Sequence, residues 1–326
     1  MITNKVSFYL SRMNARGHLP EETLRNTGLS VKQLSHYDFK ASPGQLRQII
    51  RNMIRLTGDE HLGITLGSEF KISDLGVLGY AALSSTNLAQ AREVISKYHA
   101  LNEYLIVPSN YIYNDSWLIE LKESHPLGEL LPFTVEEFIS RTIALSTKLT
   151  NKPYPILKMN LSYSAPQSMA AYDSAFGCPC FFNQPKNTII VDKECLSDPV
   201  ILANEEVHQI CERQCRKLAH ELEEKKPLSE KINRTLLNMP GQFPTLVEMA
   251  EKLNINARAL RRQLATEDSS YMQITERTRV DLALQYLSQT TLSPKEIGFL
   301  LGYSDVSNFR RAFKNWTGKT ISEYRG

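Results

Sequence analysis

The sequence predicts two fold classes in one chain. An α+β N-terminal domain of mixed helices and a small sheet precedes an all-α C-terminal domain with two helix-turn-helix motifs joined by a linker helix. Three observations predict this. In the last eighty or so residues, apolar positions recur at i, i+3, i+4 in short runs broken by tight turns, and the pattern occurs twice. In the first two hundred residues, helical and alternating strand patterns are mixed. The length of 326 residues suits two or three domains, and 42% hydrophobic content is ample for packed cores.

Taken in order, residues 4–14 read as a helix and 20–27 as a short one. Residues 42–57 are amphipathic, with Leu46, Ile49, Ile50, Met53 and Ile54 inward. Another helix is expected over 86–105. Residues 110–122 read as two strands around an Asn-Asp turn. Helices are expected over 132–149 and 168–176, and strands over 156–163 and 188–191. The glycine-rich segment 63–79 reads as tight packing or turns.

Residues 204–225 form a long polar helix in which Cys211, Cys215, Leu218 and Leu222 are spaced as a short heptad seam. That seam suits either pairing of two subunits or packing on its own domain. A charged segment with proline, residues 223–229, marks the boundary. The expected domains are therefore 1–200, a helix and linker over 201–229, and 230–326.

The first helix-turn-helix begins at Thr245, with Glu248 three residues on as in a capping box. Leu246, Met249, Ala250 and Leu253 point inward. Asn254-Ile255-Asn256 makes the turn, and a second helix places Leu260 and Leu264 inward and Arg258, Arg261 and Arg262 outward. The linker helix over 271–287 is about 17 residues, roughly 25 Å long at 1.5 Å per residue. That sets two helices near one duplex turn apart, about 34 Å.

The second motif begins at Ser293-Pro294, a cap followed by a proline suited to the first helical position. Ile297, Leu300 and Leu301 form its apolar face, Gly302 ends it, and Ser304 or Asp305 caps the next helix. Phe309, Ala312, Phe313 and Trp316 line the inner face of that helix. The outer face carries Ser307, Asn308, Arg310, Arg311 and Lys314. A short helix, a tight turn and a basic second helix is the layout that enters a major groove, and Arg and Asn read G and A edges bidentately. Duplex DNA is the expected partner. Arg258, Arg261, Arg262, Val306, Ser307, Asn308 and Arg311 are the expected base contacts, with Arg310 and Lys314 on phosphate.

Net charge is only +3, yet residues 227–326 hold 14 Lys+Arg against 10 Asp+Glu, while residues 1–226 hold 24 against 25. The basic excess falls where DNA binding is expected. No apolar run approaches the ~18 residues of a membrane span, and no signal peptide is visible, so a soluble cytoplasmic protein is expected. Five cysteines fit reduced thiols. Cys178-Pro179-Cys180 invites a metal or redox reading but has no second ligand pair at zinc spacing. G-x-S-x-G, P-loop, H-E-x-x-H and G-x-G-x-x-G patterns are all missing. Neither an enzyme, a cofactor nor a metal site is expected.

Residues 230–326 resemble the DNA-binding domain of the AraC/XylS family. The likeness rests on Arg258, Leu260, Arg262 and Leu264, on Arg279, Ala283 and Leu287, and on a dense run including Ile297, Gly302, Tyr303, Phe309, Phe313, Trp316, Gly318 and Tyr324. Three positions depart from the family pattern: Gly298 where Ala is usual, Ile321 where Pro is usual, and Asp268 where Gly is common. Gly298 should loosen its helix by ~1 kcal/mol relative to Ala.

Segments 56–67, 74–85, 172–182 and 187–192 resemble the arabinose-binding-type N-terminal domain of one branch of these regulators, often called OruR-like. The resemblance implies a transcription regulator, an activator that contacts RNA polymerase, controlled by a small-molecule effector whose identity varies across the branch. Leu78, Tyr80, Tyr98, Tyr104, Tyr111 and Trp117 are the candidate pocket residues. Two rival readings stand beside this one: a constitutive dimeric DNA-binding protein without ligand, and a thiol sensor or methyl acceptor using Cys178 or Cys180.

Overall fold

The structure is a computed structural model and describes residues 5–34, 39, 41–102, 105–113, 116–124, 126–225, 227–237, 239–290 and 292–325. The chain divides into two compact units, Met1–Glu221 and Leu222–Gly326.

The first unit begins with α1 (Lys5–Ala15), α2 (Pro20–Thr23), α3 (Val31–Leu34), α4 (Pro43–Thr57), α5 (Leu62–Ser68), α6 (Val77–Leu83) and α7 (Leu88–Lys97). The hairpin β1 (Ile106–Tyr113) and β2 (Ser116–Glu123) leads into α8 (Leu131–Thr150). Then come β3 (Ile156–Asn160), α9 (Ala170–Phe176), β4 (Cys180–Phe181), β5 (Asn187–Asp192) and α10 (Glu205–Lys225), whose last turn belongs to the second unit. The sheet runs β1-β2-β5-β3-β4 and is antiparallel except for the β3–β4 pair. The mixed α+β architecture is as the sequence predicts.

Local chemistry explains the boundaries. Ser42 accepts a hydrogen bond from the Gln45 amide, Pro43 opens α4, and Gly58 closes it at φ 64°. The expected helix over 20–27 stops at Thr23, and the chain then turns left-handed at Asn26 and Gly28 (φ 60° and 70°). The expected helix over 86–105 ends at Lys97, followed by a single 3₁₀ turn at His99–Leu101. The apolar stretch beyond it, including Leu105, Ile106 and Val107, supplies the start of an edge strand, where Pro108 is tolerated.

α8 is buried nearly all round, including Glu136, Glu137 and Arg141. Lys5 pairs with Glu137 at 2.9 Å inside the core. The Tyr172 hydroxyl donates to the Glu136 carboxylate at 2.6 Å. Of the tight packing or turns expected over 63–79, the segment shows close packing: it holds most of α5 and the start of α6, and its glycines sit against neighbouring backbone. A Cβ on Gly67 would meet the Glu137 carbonyl at 2.6 Å and the Arg141 amide nitrogen at 2.9 Å. Ser140 donates its hydroxyl to the Ile64 carbonyl at 2.8 Å across this same contact.

The second unit is all-α: α11 (Leu228–Leu237), α12 (Leu246–Lys252), α13 (Ala257–Thr266), α14 (Tyr271–Gln289), α15 (Pro294–Leu300), α16 (Val306–Thr317) and α17 (Ile321–Arg325). It holds two apolar clusters. Ile232, Leu236, Met249, Ala250, Leu260, Leu264 and Ile274 form one. Leu282, Ala283, Leu287, Ile297, Leu301, Phe309, Phe313 and Ile321 form the other. Phe243 packs on both.

Candidate nucleic-acid interface and effector cavity

Both helix-turn-helix units are built by the same devices. Thr245 and Ser293 cap α12 and α15 in full capping boxes with Glu248 and Glu296. The hydrogen bonds they donate hold both carboxylates below the usual range. α12, α13 and α15 all end in paired 6→1 and 5→2 bonds. These run from Ile255 to Ala250 and Asn254 to Glu251, from Ser269 to Leu264 and Asp268 to Ala265, and from Tyr303 to Gly298 and Gly302 to Phe299. Each such ending needs one left-handed residue: Asn254 (φ 54°), Asp268 (φ 49°) and Gly302 (φ 78°). This explains the Asp268 departure, since glycine is the usual residue for that conformation and aspartate tolerates it. Gly298 has a packing reason as well: a Cβ there would sit 3.3 Å from the Phe309 Cβ.

Asn256 and Asp305 cap α13 and α16 through hydrogen bonds from the Ala259 and Ser307 amides. Leu260 and Leu264 are buried, as are Phe309 and Phe313. Arg258, Arg261, Arg262, Ser307, Asn308, Arg310, Arg311 and Lys314 are exposed, and Val306 is half-buried. None of these five arginines, nor Lys314, makes an ion pair with a described residue, so their charges face solvent.

Within the second unit, α14 ties the two helix-turn-helix motifs together. Its Arg279 guanidinium lies 4.4 Å from the Phe243 ring centroid and 5.1 Å from that of Tyr303, and its Nε donates to the Leu301 carbonyl at 3.0 Å. The Trp316 indole donates to Glu276 at 2.8 Å, and the Tyr271 hydroxyl to the Pro244 carbonyl at 2.6 Å. The linker helix is therefore pinned to the 243–244 segment ahead of α12, to the turn after α15 and to α16.

In the first unit a cavity of about 40 Å³ lies among α6, α7, α8, β1 and the residue stretches just before α6 and after α7. Leu75, Leu78, Ile95, Phe138 and Leu145 supply apolar wall, and Arg92, Arg141, His99 and Asn102 supply polar groups. Of the candidate pocket residues, Leu78 lines it. Tyr98 and Trp117 are buried but lie off its wall, and Tyr80 and Tyr111 are exposed. Tyr111 lies in the half of β1 nearest the hairpin turn, which is exposed on both faces, so aromatic content is a poor guide here. Tyr104 lies outside the described residues. Arg92 and Arg141 were missed, although each interrupts an otherwise inward-facing helical stripe.

The seam on α10 is not a free face. Cys215 is fully buried, Cys211, Leu218 and Leu222 are half-buried, and His208 on the same side bonds the Ala81 carbonyl at 2.8 Å. The exposed apolar residues nearby are Ile201, Leu202, Val207 and Ile210. All five cysteines are free thiols. Cys180 donates weakly to the Cys178 carbonyl at 3.4 Å, and hydrogen bonding from Cys180 lowers the Cys178 pKa. Among the described residues no group of three or more His, Cys, Asp or Glu is placed to hold a metal, and no helix is long and apolar enough to cross a membrane.

Comparison with known proteins bears on both units. Residues 17–200 match the family model described as the arabinose-binding domain of AraC transcription regulator, N-terminal, and residues 249–326 match a helix-turn-helix domain model. The chain is 36% identical to the ornithine utilization regulator of Pseudomonas aeruginosa over 298 residues, 90% of this chain and 84% of that protein. It is 28% identical to the HTH-type transcriptional regulator VqsM of the same species over 275 residues, covering 81% and 83%. A solved structure, the transcriptional regulator CdpR from Pseudomonas aeruginosa, aligns over 93% of this chain and 96% of that one at 24% identity and a TM-score of 0.46.

Proposed function

Because the chain belongs to the AraC family of DNA-binding transcription regulators, we propose that its second unit reads two major-groove segments, one with α13 and one with α16. It is a transcription regulator and not an enzyme. The observation that carries the assignment of contacts is the line of outward cations, none ion-paired among the described residues, over two capped, buried-backed helices. Arg258, Arg261 and Arg262 contact bases from α13. Val306, Ser307, Asn308 and Arg311 contact bases from α16, and Arg310 and Lys314 contact phosphate. An effector binds the first unit and shifts the balance between states that differ in operator affinity. The reading as an activator that meets RNA polymerase rests on family resemblance, and transcription in vitro reads its sign.

Operator titration tests the contacts. Arg311→Ala should weaken operator binding by about 1–3 kcal/mol and relax preference at one base pair. Lys314→Ala should weaken all duplexes alike and make the salt slope shallower by about one. Unchanged affinity and base preference in Arg311→Ala would remove α16 from the groove.

We also propose that the regulator acts as a homodimer, with Ile201, Leu202, Val207 and Ile210 supplying the apolar surface in place of the buried seam. Sedimentation equilibrium reads this: Ile210→Glu should shift the chain toward monomer, whereas Cys211→Ser should leave association unchanged.

A further inference from the structure

Arg92 is a buried cation that forms no ion pair among the described residues. It lies on the inward face of α7 with Leu88 and Ala91 and is 7% exposed. Its guanidinium sits 5.7 Å from the Trp117 ring centroid, its Nε finds no hydrogen-bond partner, and no described carboxylate pairs with it. Burial lowers its pKa, and the nearby Arg141 cation adds to that effect. Both arginines face the cavity between α7 and α8, and no Asp or Glu is among the residues lining it. A buried charge is tolerated when something opposite reaches it. The cavity that Arg92 lines is where that group would lie.

We propose that this cavity is a subsite for an organic carboxylate, the –COO⁻ group against Arg92 and the carbon chain against Leu78, Phe138 and Leu145. The planar guanidinium matches two carboxylate oxygens side by side. A tetrahedral phosphate would leave oxygens facing the hydrocarbon wall. The volume of about 40 Å³ is room for roughly three water-sized groups at 10–15 Å³ each, which suits a short acid or the head of a longer one. The proposal rests on the reading of the first unit as the effector-binding half and names the chemistry of that effector.

The test uses the full chain, thermal unfolding and calorimetric titration, with sodium propanoate as probe. Propanamide (neutral, same shape), propylamine (cationic) and inorganic phosphate are the comparisons. Propanoate should raise the melting temperature and titrate, and the other three should not. Arg92→Gln should weaken propanoate at least tenfold yet raise the melting temperature of the unliganded chain, because a buried unpaired charge has gone. Arg92→Lys keeps charge but not the paired N–H geometry. It should bind with intermediate affinity, which preserves the test if the glutamine variant folds poorly.

Equal stabilisation by propanoate and propanamide overturns the proposal. So does full propanoate affinity in Arg92→Gln, or a lower unliganded melting temperature in both variants, which marks a structural arginine. Operator binding separates this from the broader reading. If neutral or cationic metabolites alone alter operator affinity, the carboxylate assignment falls and effector control stands. If propanoate binds through Arg92 with no change at the operator, the subsite stands and effector control through it falls.

Discussion

At the scale of single residues, the glycines divide by purpose. Gly302 supplies a left-handed turn, and a Cβ there would also approach the Phe243 ring at 3.0 Å. Gly67 supplies nothing conformational; it removes a side chain so that α5 and α8 can touch. Gly67→Ala should therefore destabilise the first unit by about 1–3 kcal/mol or more, since backbone atoms cannot yield cheaply. A denaturant midpoint of the first unit that stays unchanged would contradict that contact. Arg279 shows the limit of reading a residue by type. The sequence offers it as a family-matching cation on a DNA-binding domain, yet it is stacked between two rings and bonded to a carbonyl, where its role is to hold the motifs together.

At the scale of elements, the capping boxes make the second unit acid-sensitive. Glu248, Glu296 and Glu323 each sit below the usual carboxylate range through hydrogen bonds from Thr245, Ser293 and Thr320. A depressed folded-state pKa means the folded chain holds its carboxylate charged longer than the unfolded chain does. The stability this supplies is present above the ordinary carboxylate value of 4.5 and is lost as pH falls through the lower folded values. Replacing all three with Gln keeps box geometry but removes the titration. Helical circular dichroism of the triple variant should fall less steeply below that pH than that of the parent. Equal steepness would mean the boxes do not contribute.

At the scale of the whole molecule, effector and operator must be linked. Any factor by which propanoate changes operator affinity must equal the factor by which saturating operator changes propanoate affinity. Paired titrations of the full chain read both. Unequal factors would show that the two measurements report different species, for example monomer and dimer.

The sequence by itself determined the second unit, because its signals are local. A cap and its box partner are three residues apart, and an apolar stripe repeats every turn. Each helix end can be read from one residue that accepts positive φ. The same locality made α4 and the β1–β2 hairpin legible in the first unit, and charge bias pointed to the correct half of the chain. Only the tertiary structure decided the cavity and the seam. Aromatic content drew attention to Tyr80 and Tyr111, which are exposed. Spacing along α7 and α8 singled out neither Arg92 nor Arg141, and only the packing of α7, α8 and β1 brings them to one cavity. The α10 seam suited pairing of two subunits or packing on its own domain, and Cys215 is buried. A side chain's burial depends on which distant segments pack against it, and no spacing along one helix encodes that.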